Sequence, residues 1–166
     1  MAGTTLVAQS SAPSRIATGV PALDRLIALA AHAGRFEIRL ALSPAEPEVD
    51  VDAAAIELGR AVRPLLFAAR AQGHGVGTMA TDEALATVVL EASGRPLVVS
   101  NVDLAASHVG GLEGDLARRF FDALARAAGL TIHVRLVEGQ ESEHVVDAIF
   151  KALGVALAQA FTVVRD

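Results

Sequence analysis

Residues 147–154 read DAIFKALG and residues 52–59 read DAAAIELG, so Asp, Ala, Leu and Gly recur at the same steps in two distant parts of the chain. The segment before each copy is repeated as well. Residues 36–42 (FEIRLAL) and 130–136 (LTIHVRL) largely alternate apolar and polar side chains, which predicts a β-strand buried on one face. An internal repeat of this size predicts a structural unit that has been duplicated.

The elements around the repeats predict the same order twice. Each strand is preceded by a helical pattern that ends at a glycine, Gly34 in the first copy and Gly129 in the second. Ahead of each helix lies a hairpin-like stretch, with bends at residues 10–14 (SSAPS) and at Ser93-Gly94. The predicted fold is therefore α+β, with duplicated ββαβα half-domains whose mixed sheets have helices packed on one face.

The length and the repeat together predict one domain, residues 1–166, made of two halves, residues 1–72 and 78–166. A glycine-rich stretch at residues 70–79 (RAQGHGVGTM) is the predicted linker between them. We expect Pro64 to end the last helix of the first half, since proline removes an interior hydrogen bond.

The composition excludes several classes of function. The chain has a net charge of -5 and 4% aromatic residues, with no Trp or Tyr, so it lacks the surface of a general nucleic-acid binder. No run reaches the ~18 apolar residues of a membrane span. The first residues lack the basic start and apolar run of a signal peptide, so the cytoplasm is the expected compartment. Cysteine is absent, which excludes disulfides and thiolate metal sites.

Several stretches, taken in order and spacing, resemble the imidazoleglycerol-phosphate dehydratase family. They are TGVPALDRLIALAAHAGRF (18–36), IELGRAV (56–62), TDEALATVVLEASGRPLVV (81–99), HVGGLEGDLARRFFDAL (108–124), LTIHVRL (130–136) and DAIFKAL (147–153). The resemblance implies a ribosomal protein S5 domain 2-like fold and a lyase of histidine biosynthesis that removes water from a substrate diol. It also implies a homo-oligomer, a trimer or an octahedral 24-mer-like particle, with manganese bound between subunits.

The resemblance marks the metal-ligand positions, and most of their histidines are replaced here. The family's Asp-His pair falls on Asp24-Arg25, and its His-His-x-x-Glu motifs fall on residues 48–52 (EVDVD) and 143–147 (EHVVD). The metal-ligand residues that remain are His133, His144, Asp147 and Asp52. They predict at most a residual site for Mn²⁺ or Mg²⁺, and we expect this site to be vacant and no cofactor to be needed.

Asp52 and Asp147 also have a purely structural interpretation. The helical pattern opens at each of them, and an acid there caps free N–H groups and interacts favourably with the helix dipole. His133 and His144 can likewise be polar residues at a subunit boundary. Between the two interpretations, the sequence favours the structural one.

The resemblance also marks residues on the substrate side. Asp82, Glu83 and Lys151 match catalytic positions, and Arg95 matches an anion-binding position, so a small phosphorylated molecule is the candidate ligand. The family's phosphate-binding arginine falls on residues 72–73, which are Gln and Gly, so that positive charge is missing.

Arg25 puts a permanent cation where the family has a ligand histidine. We expect it to form a salt bridge with Glu143 that replaces the metal and holds the subunit interface together. These losses favour a family member that has lost the dehydratase reaction and acts as a non-catalytic oligomeric assembly or regulatory protein. The alternative is a divergent imidazoleglycerol-phosphate dehydratase, or a related small-molecule lyase, with a remodelled site.

Overall fold

The computed structural model describes residues 6–43, 46–104, 112 and 115–165. Part of one stretch that carries the resemblance, residues 108–111 and 113–114, lies outside the described residues. The first half contains β1 (Leu6–Gln9), β2 (Arg15–Ala17), α1 (Pro21–Gly34), β3 (Phe36–Ala41) and α2 (Pro47–Leu66). The second half contains β4 (His74–Thr81), β5 (Ala84–Glu91), β6 (Leu97–Ser100), α3 (Leu116–Ala128), β7 (Thr131–Glu138) and α4 (Ser142–Ala160). The order ββαβα therefore occurs twice, with β4 placed before the second copy.

The two sheets confirm the predicted duplication. In the first sheet, ordered β1-β3-β2, the central β3 is antiparallel to β1 and parallel to β2. In the second sheet, ordered β4-β5-β7-β6, the strand β7 is antiparallel to β5 and parallel to β6. The two copies therefore share one topology, and β4 is an extra strand that pairs with β5 at the sheet edge.

The helices pack on the sheets and also across the two halves. α4 lies against β4 and β5, while α1 lies against β2 and β3. Between the halves, α1 packs on α4 and α2 packs on α3. Phe120, Phe121 and Phe150 form a buried cluster of rings with centroid separations of 5.8, 5.3 and 5.5 Å. None of the helices in the described ranges has the length and apolarity that crossing a bilayer requires.

The predicted linker at residues 70–79 is wrong for most of its length. His74–Thr81 forms β4, so residue 78, the predicted start of the second half, lies inside a strand. The glycines that suggested a linker are explained by packing, because a Cβ on Gly75 or Gly77 would meet the backbone of α4. Glycine in this strand therefore marks a close approach of helix to sheet and not a free connection.

Two predictions about the helices also differ from the structure. Pro64 lies inside α2 and not at its end, since a proline in the last turn removes one hydrogen bond without ending the helix at once. α2 begins at Pro47 and α4 at Ser142, so Asp52 and Asp147 lie in the second turn of their helices. Neither acid can therefore cap a helix N-terminus, and both need another explanation.

Candidate active site

One side of α4 gathers polar residues that the sequence singled out. His144, Asp147 and Lys151 are spaced by three and four residues, so they lie along the same side of the helix. The turn between β4 and β5 brings Asp82 and Glu83 to the start of α4, against His144. Asp82 and Glu83 thus lie beside one imidazole, and Lys151 lies two turns further along the same helix.

The β4–β5 turn is tied to the start of α4 through Glu83. Glu83 Oε1 accepts hydrogen bonds from the backbone N–H groups of Gln140 and Glu141, at 3.3 and 2.9 Å. Its other oxygen, Oε2, lies 2.6 Å from Nδ1 of His144. Asp82 takes the left-handed conformation, with φ 48°, which Asp adopts more readily than most side chains and which tight hairpin turns require. The turn therefore holds both acids next to the imidazole.

The charges in this cluster shift the pKa of two groups. The backbone N–H of Glu141 and the imidazole of His144 lower the pKa of Glu83 to about 2. Glu83 raises the pKa of His144 through their hydrogen bond, and Asp82, whose Oδ2 lies 3.4 Å from Nε2, adds to that effect. His144 therefore keeps its proton to a higher pH than a free histidine does, while Glu83 stays ionised.

Lys151 lies at the edge of the same cluster. Its Nζ donates a 3.0 Å hydrogen bond to the backbone carbonyl of Ala80, near the end of β4. An ammonium group has three N–H donors, so this contact positions the amine and leaves two donors for a ligand.

Arg25 of α1 reaches the same side of α4 and contacts Asp147. Its Nη1 donates to Oδ2 at 3.0 Å, and its Nη2 lies 2.9 Å from Oδ1. The hydrogen bond to Asp147 is the main cause of the raised pKa of Arg25, whereas Glu143 contributes through its charge alone. The predicted pair Arg25–Glu143 is therefore corrected to Arg25–Asp147, because Asp147, one turn further along α4, is the acid that faces α1. The pair joins the two halves of one chain.

Three other predicted site residues lie elsewhere in the chain. His133 is an exposed residue of β7 between two buried neighbours, so it lies on the sheet face opposite α4. Arg95 follows the far end of β5, roughly 25 Å from the β4–β5 turn at ~3.4 Å per residue. Asp52 is in α2 and contacts α3. A single chain does not bring these three side chains to His144.

The residues present do not fit the manganese that the resemblance implies. In the part of the chain that the structure describes, no group of three His, Asp or Glu side chains could hold a metal ion. Asp147 is engaged by Arg25, and His144 by Glu83. A guanidinium is not a metal ligand, and its charge repels a cation. Within one chain, this region is an acid–base cluster and not a metal centre.

Sequence reasoning missed Arg119, which lies in α3 and binds Asp52 at two points. Its Nη2 lies 2.6 Å from Oδ2, and its Nε lies 3.3 Å from Oδ1. The signal that identifies it is the repeat itself. Arg119 precedes the left-handed Gly129 by ten residues, as Arg25 precedes the left-handed Arg35.

Replacing Glu83 with Gln is expected to lower the pKa of His144 towards its usual value. The amide keeps an oxygen for the two backbone N–H groups, but it removes the negative charge that favours the imidazolium. An NMR titration of the His144 ring measures the change. Glu91→Gln, at the other end of β5, is the matched control and should leave the titration as in wild type. A His144 pKa that is the same in wild type and Glu83→Gln would contradict this pairing.

Comparison with known proteins identifies the family. Residues 18–157 match the family model described as imidazoleglycerol-phosphate dehydratase. The imidazoleglycerol-phosphate dehydratase of Syntrophobacter fumaroxidans is 40% identical over 164 residues, which cover 93% of this chain and 81% of that protein. The same enzyme of Pelobacter propionicus is 38% identical over 152 residues, which cover 87% of this chain and 76% of that protein.

Solved structures show the same relationship in three dimensions. The crystal structure of imidazoleglycerol-phosphate dehydratase from Staphylococcus aureus has a TM-score of 0.85 at 28% identity, covering 95% of this chain and 92% of that chain. The enzyme from Pyrococcus furiosus has a TM-score of 0.81 at 27% identity, covering 95% and 91%. The predicted fold and family are thereby confirmed, and the chain belongs to the imidazoleglycerol-phosphate dehydratase family of hydro-lyases.

Proposed function

We propose that this protein is a hydro-lyase that removes water from imidazoleglycerol phosphate, or a closely related phosphorylated diol, at the cluster on α4. The observation that carries the proposal is the position of His144, whose ring nitrogens lie 2.6 Å from Glu83 and 3.4 Å from Asp82. Dehydration needs a proton donor for the leaving hydroxyl and an acceptor for the proton on the neighbouring carbon. A protonated imidazole flanked by two carboxylates supplies both.

The residues of the cluster divide the two proton transfers between them. The imidazolium of His144, held at Nδ1 by Glu83, donates its Nε2 proton to the hydroxyl group, which leaves as water. Asp82, the most exposed acid of the cluster at 69%, accepts the proton from the adjacent carbon. The electron pair of that C–H bond forms the double bond of an enol, which then becomes the ketone. Lys151 uses its remaining N–H donors on the phosphate.

A homo-oligomer, a trimer or an octahedral particle, is the second part of the proposal. The outer face of the second sheet carries a continuous row of cross-strand neighbours, Val76, Val89, His133 and Val99, all exposed in one chain. Exposed apolar surface of this kind is typical of contacts between proteins. Arg95 lies far from the cluster of its own chain, so it would contribute to phosphate binding only in the cluster of a neighbouring copy.

A non-catalytic assembly or regulatory protein on the same scaffold is the second candidate function. The observation that favours it is that Asp52 and Asp147, the acids at the family's metal positions, are both bound by arginines. A family member that needed these acids as metal ligands would be inactive in this state.

Turnover of imidazoleglycerol phosphate separates the two candidates. The purified protein is incubated with the substrate, once with excess Mn²⁺ and once with a chelator, and the loss of one water is followed by mass spectrometry. The Syntrophobacter fumaroxidans relative serves as the positive control. We expect turnover in at least one condition. If circular dichroism shows a folded protein and there is no turnover in either condition, the hydro-lyase is rejected and the non-catalytic assembly or regulatory protein is supported.

A further inference from the structure

Two arginine–aspartate pairs occupy equivalent places in the two halves of the molecule. Asp52 and Asp147 each lie seven residues before the glycine at which their helix comes closest to its partner helix. Arg25 and Arg119 each lie ten residues before the left-handed residue that follows their own helix. The two pairs therefore occupy equivalent positions of the duplicated unit, and each places a guanidinium against a carboxylate.

Each pair crosses from one half to the other. Arg25 of α1 contacts both oxygens of Asp147 in α4, at 3.0 and 2.9 Å. Arg119 of α3 contacts both oxygens of Asp52 in α2, at 2.6 and 3.3 Å. Two N–H donors on one carboxylate form the strongest kind of protein ion pair, and Arg119 makes such a pair with Asp52. Arg25 donates one hydrogen bond to Asp147, and the second oxygen of Asp147 is in charge contact only. The Asp147 side chain is 18% exposed and the Asp52 side chain 38%, so solvent weakens the pairs without removing their contribution.

Both acids already have a guanidinium against them, and its charge opposes a divalent cation at the same place. Both oxygens of Asp52 accept hydrogen bonds from a guanidinium, whereas Asp147 accepts one and has its second oxygen 2.9 Å from the same guanidinium. A guanidinium stays charged at any pH the protein meets. Asp52 also borders a cleft of about 300 Å³ that is lined by Arg60 and Arg126. A divalent ion at Asp52 would have to displace one arginine and then remain close to two others, which Coulomb repulsion opposes.

We propose that Arg25 and Arg119 are built-in cations, which neutralise Asp147 and Asp52 and join α1 to α4 and α3 to α2, so that the protein binds no manganese at these acids and keeps its fold without it. This inference does not depend on the proposed reaction, because the same pairs would hold an active enzyme or an inactive scaffold together. Its tests accordingly use no turnover measurement.

The first test measures bound metal. Wild-type protein is incubated with excess Mn²⁺, desalted and analysed by plasma mass spectrometry, and its melting temperature is compared with and without a chelator. We expect almost no retained manganese and the same melting temperature in both conditions. About one ion or more per subunit that is lost in Asp52→Asn or Asp147→Asn would overturn the proposal, as would a melting temperature that falls in chelator. If both variants retain as much manganese as wild type, the ion is bound at other residues, and the proposal that these two acids bind none is supported.

The second test measures the contribution of each arginine to stability. Arg25→Ala and Arg119→Ala are each expected to lower the melting temperature by about 2–4 °C. Arg118→Ala is the matched control: Arg118 neighbours Arg119 but pairs with Asp122 within its own helix, at 3.0 Å, and its loss should shift the melting temperature by less than about 1 °C. If neither variant is less stable than this control, the arginines do not join the halves.

A double-mutant cycle shows whether each arginine acts through its aspartate. Asp147→Ala should lower the melting temperature clearly less in the Arg25→Ala background than in wild type, and Asp52→Ala should behave in the same way with Arg119→Ala. Additive shifts would mean that the side chains do not interact, and the proposal would fail.

Discussion

The Gly154→Ala variant is expected to unfold about 4–8 °C below the wild-type protein. A methyl group at this position would meet the backbone of Ala30, where α4 crosses α1. Alanine is the better helix former, so the change would by itself favour α4 by about 1 kcal/mol. Overpacking typically costs about 1–3 kcal/mol and more where backbone must move, as it must here because the obstacle is a main-chain carbonyl. The net loss is therefore about 2 kcal/mol.

Thermal and urea unfolding measure this effect, with Gly94→Ala as the control. Gly94 has a positive φ of 70°, but an added Cβ there would have no atom within 4 Å. Its replacement should lose about 1 kcal/mol through backbone strain alone. A Gly154→Ala protein that is as stable as Gly94→Ala would contradict the close crossing of α1 and α4. Arg25 lies in α1 and Asp147 in α4, so a variant that pushes these two helices apart should also weaken the ion pair between them.

The fold could be predicted from the sequence to the extent that its physical causes are local. The repeated motif from Asp147 to Gly154 predicts a helix, and the alternation at residues 130–136 predicts a strand with one buried face. The strand β4 was missed because Gly75 and Gly77 give it the composition of a linker. Their role depends on how closely α4 approaches, and a single sequence does not reveal that distance.

The candidate site shows the same division. The resemblance marked Asp82, Glu83 and Lys151. The structure places the two acids against His144 and places Lys151 two turns further along α4, at the end of β4. The resemblance alone does not show whether Glu143 or Asp147 faces α1, because that depends on how α4 is rotated about its axis relative to α1.

The arginine of the second pair was missed for a different reason. In the sequence, Gly34 and Gly129 mark the ends of the two equivalent helices, whereas the residue of α1 that matches Gly129 in conformation is Arg35, with φ 56°. A shift of one residue in the alignment hides the equivalence of Arg25 and Arg119. Most non-glycine residues avoid the left-handed region, which is why the glycine was the natural choice.

His144→Gln is expected to lower kcat/KM for imidazoleglycerol phosphate by about 100-fold or more, because removing a positioned general acid typically costs a factor of 10²–10⁴. Glutamine can still hydrogen-bond to Glu83, but it cannot carry the proton. In the wild-type protein, kcat/KM should fall as the pH rises above the pKa of His144, which Glu83 holds above its ordinary value. That limb of the pH profile should be absent from the residual activity of the variant.

His32→Gln is the matched control. His32 lines a cleft of about 640 Å³ at the C-terminal end of α1. The cluster contacts the other end of this helix, at Arg25. Replacing His32 should therefore leave kcat/KM and the pH profile as in wild type. Wild-type activity in His144→Gln would show that the cluster only ties the β4–β5 turn to α4. A loss of activity with the pH limb retained would make His144 a positioning residue, because the acid that titrates would then be another group.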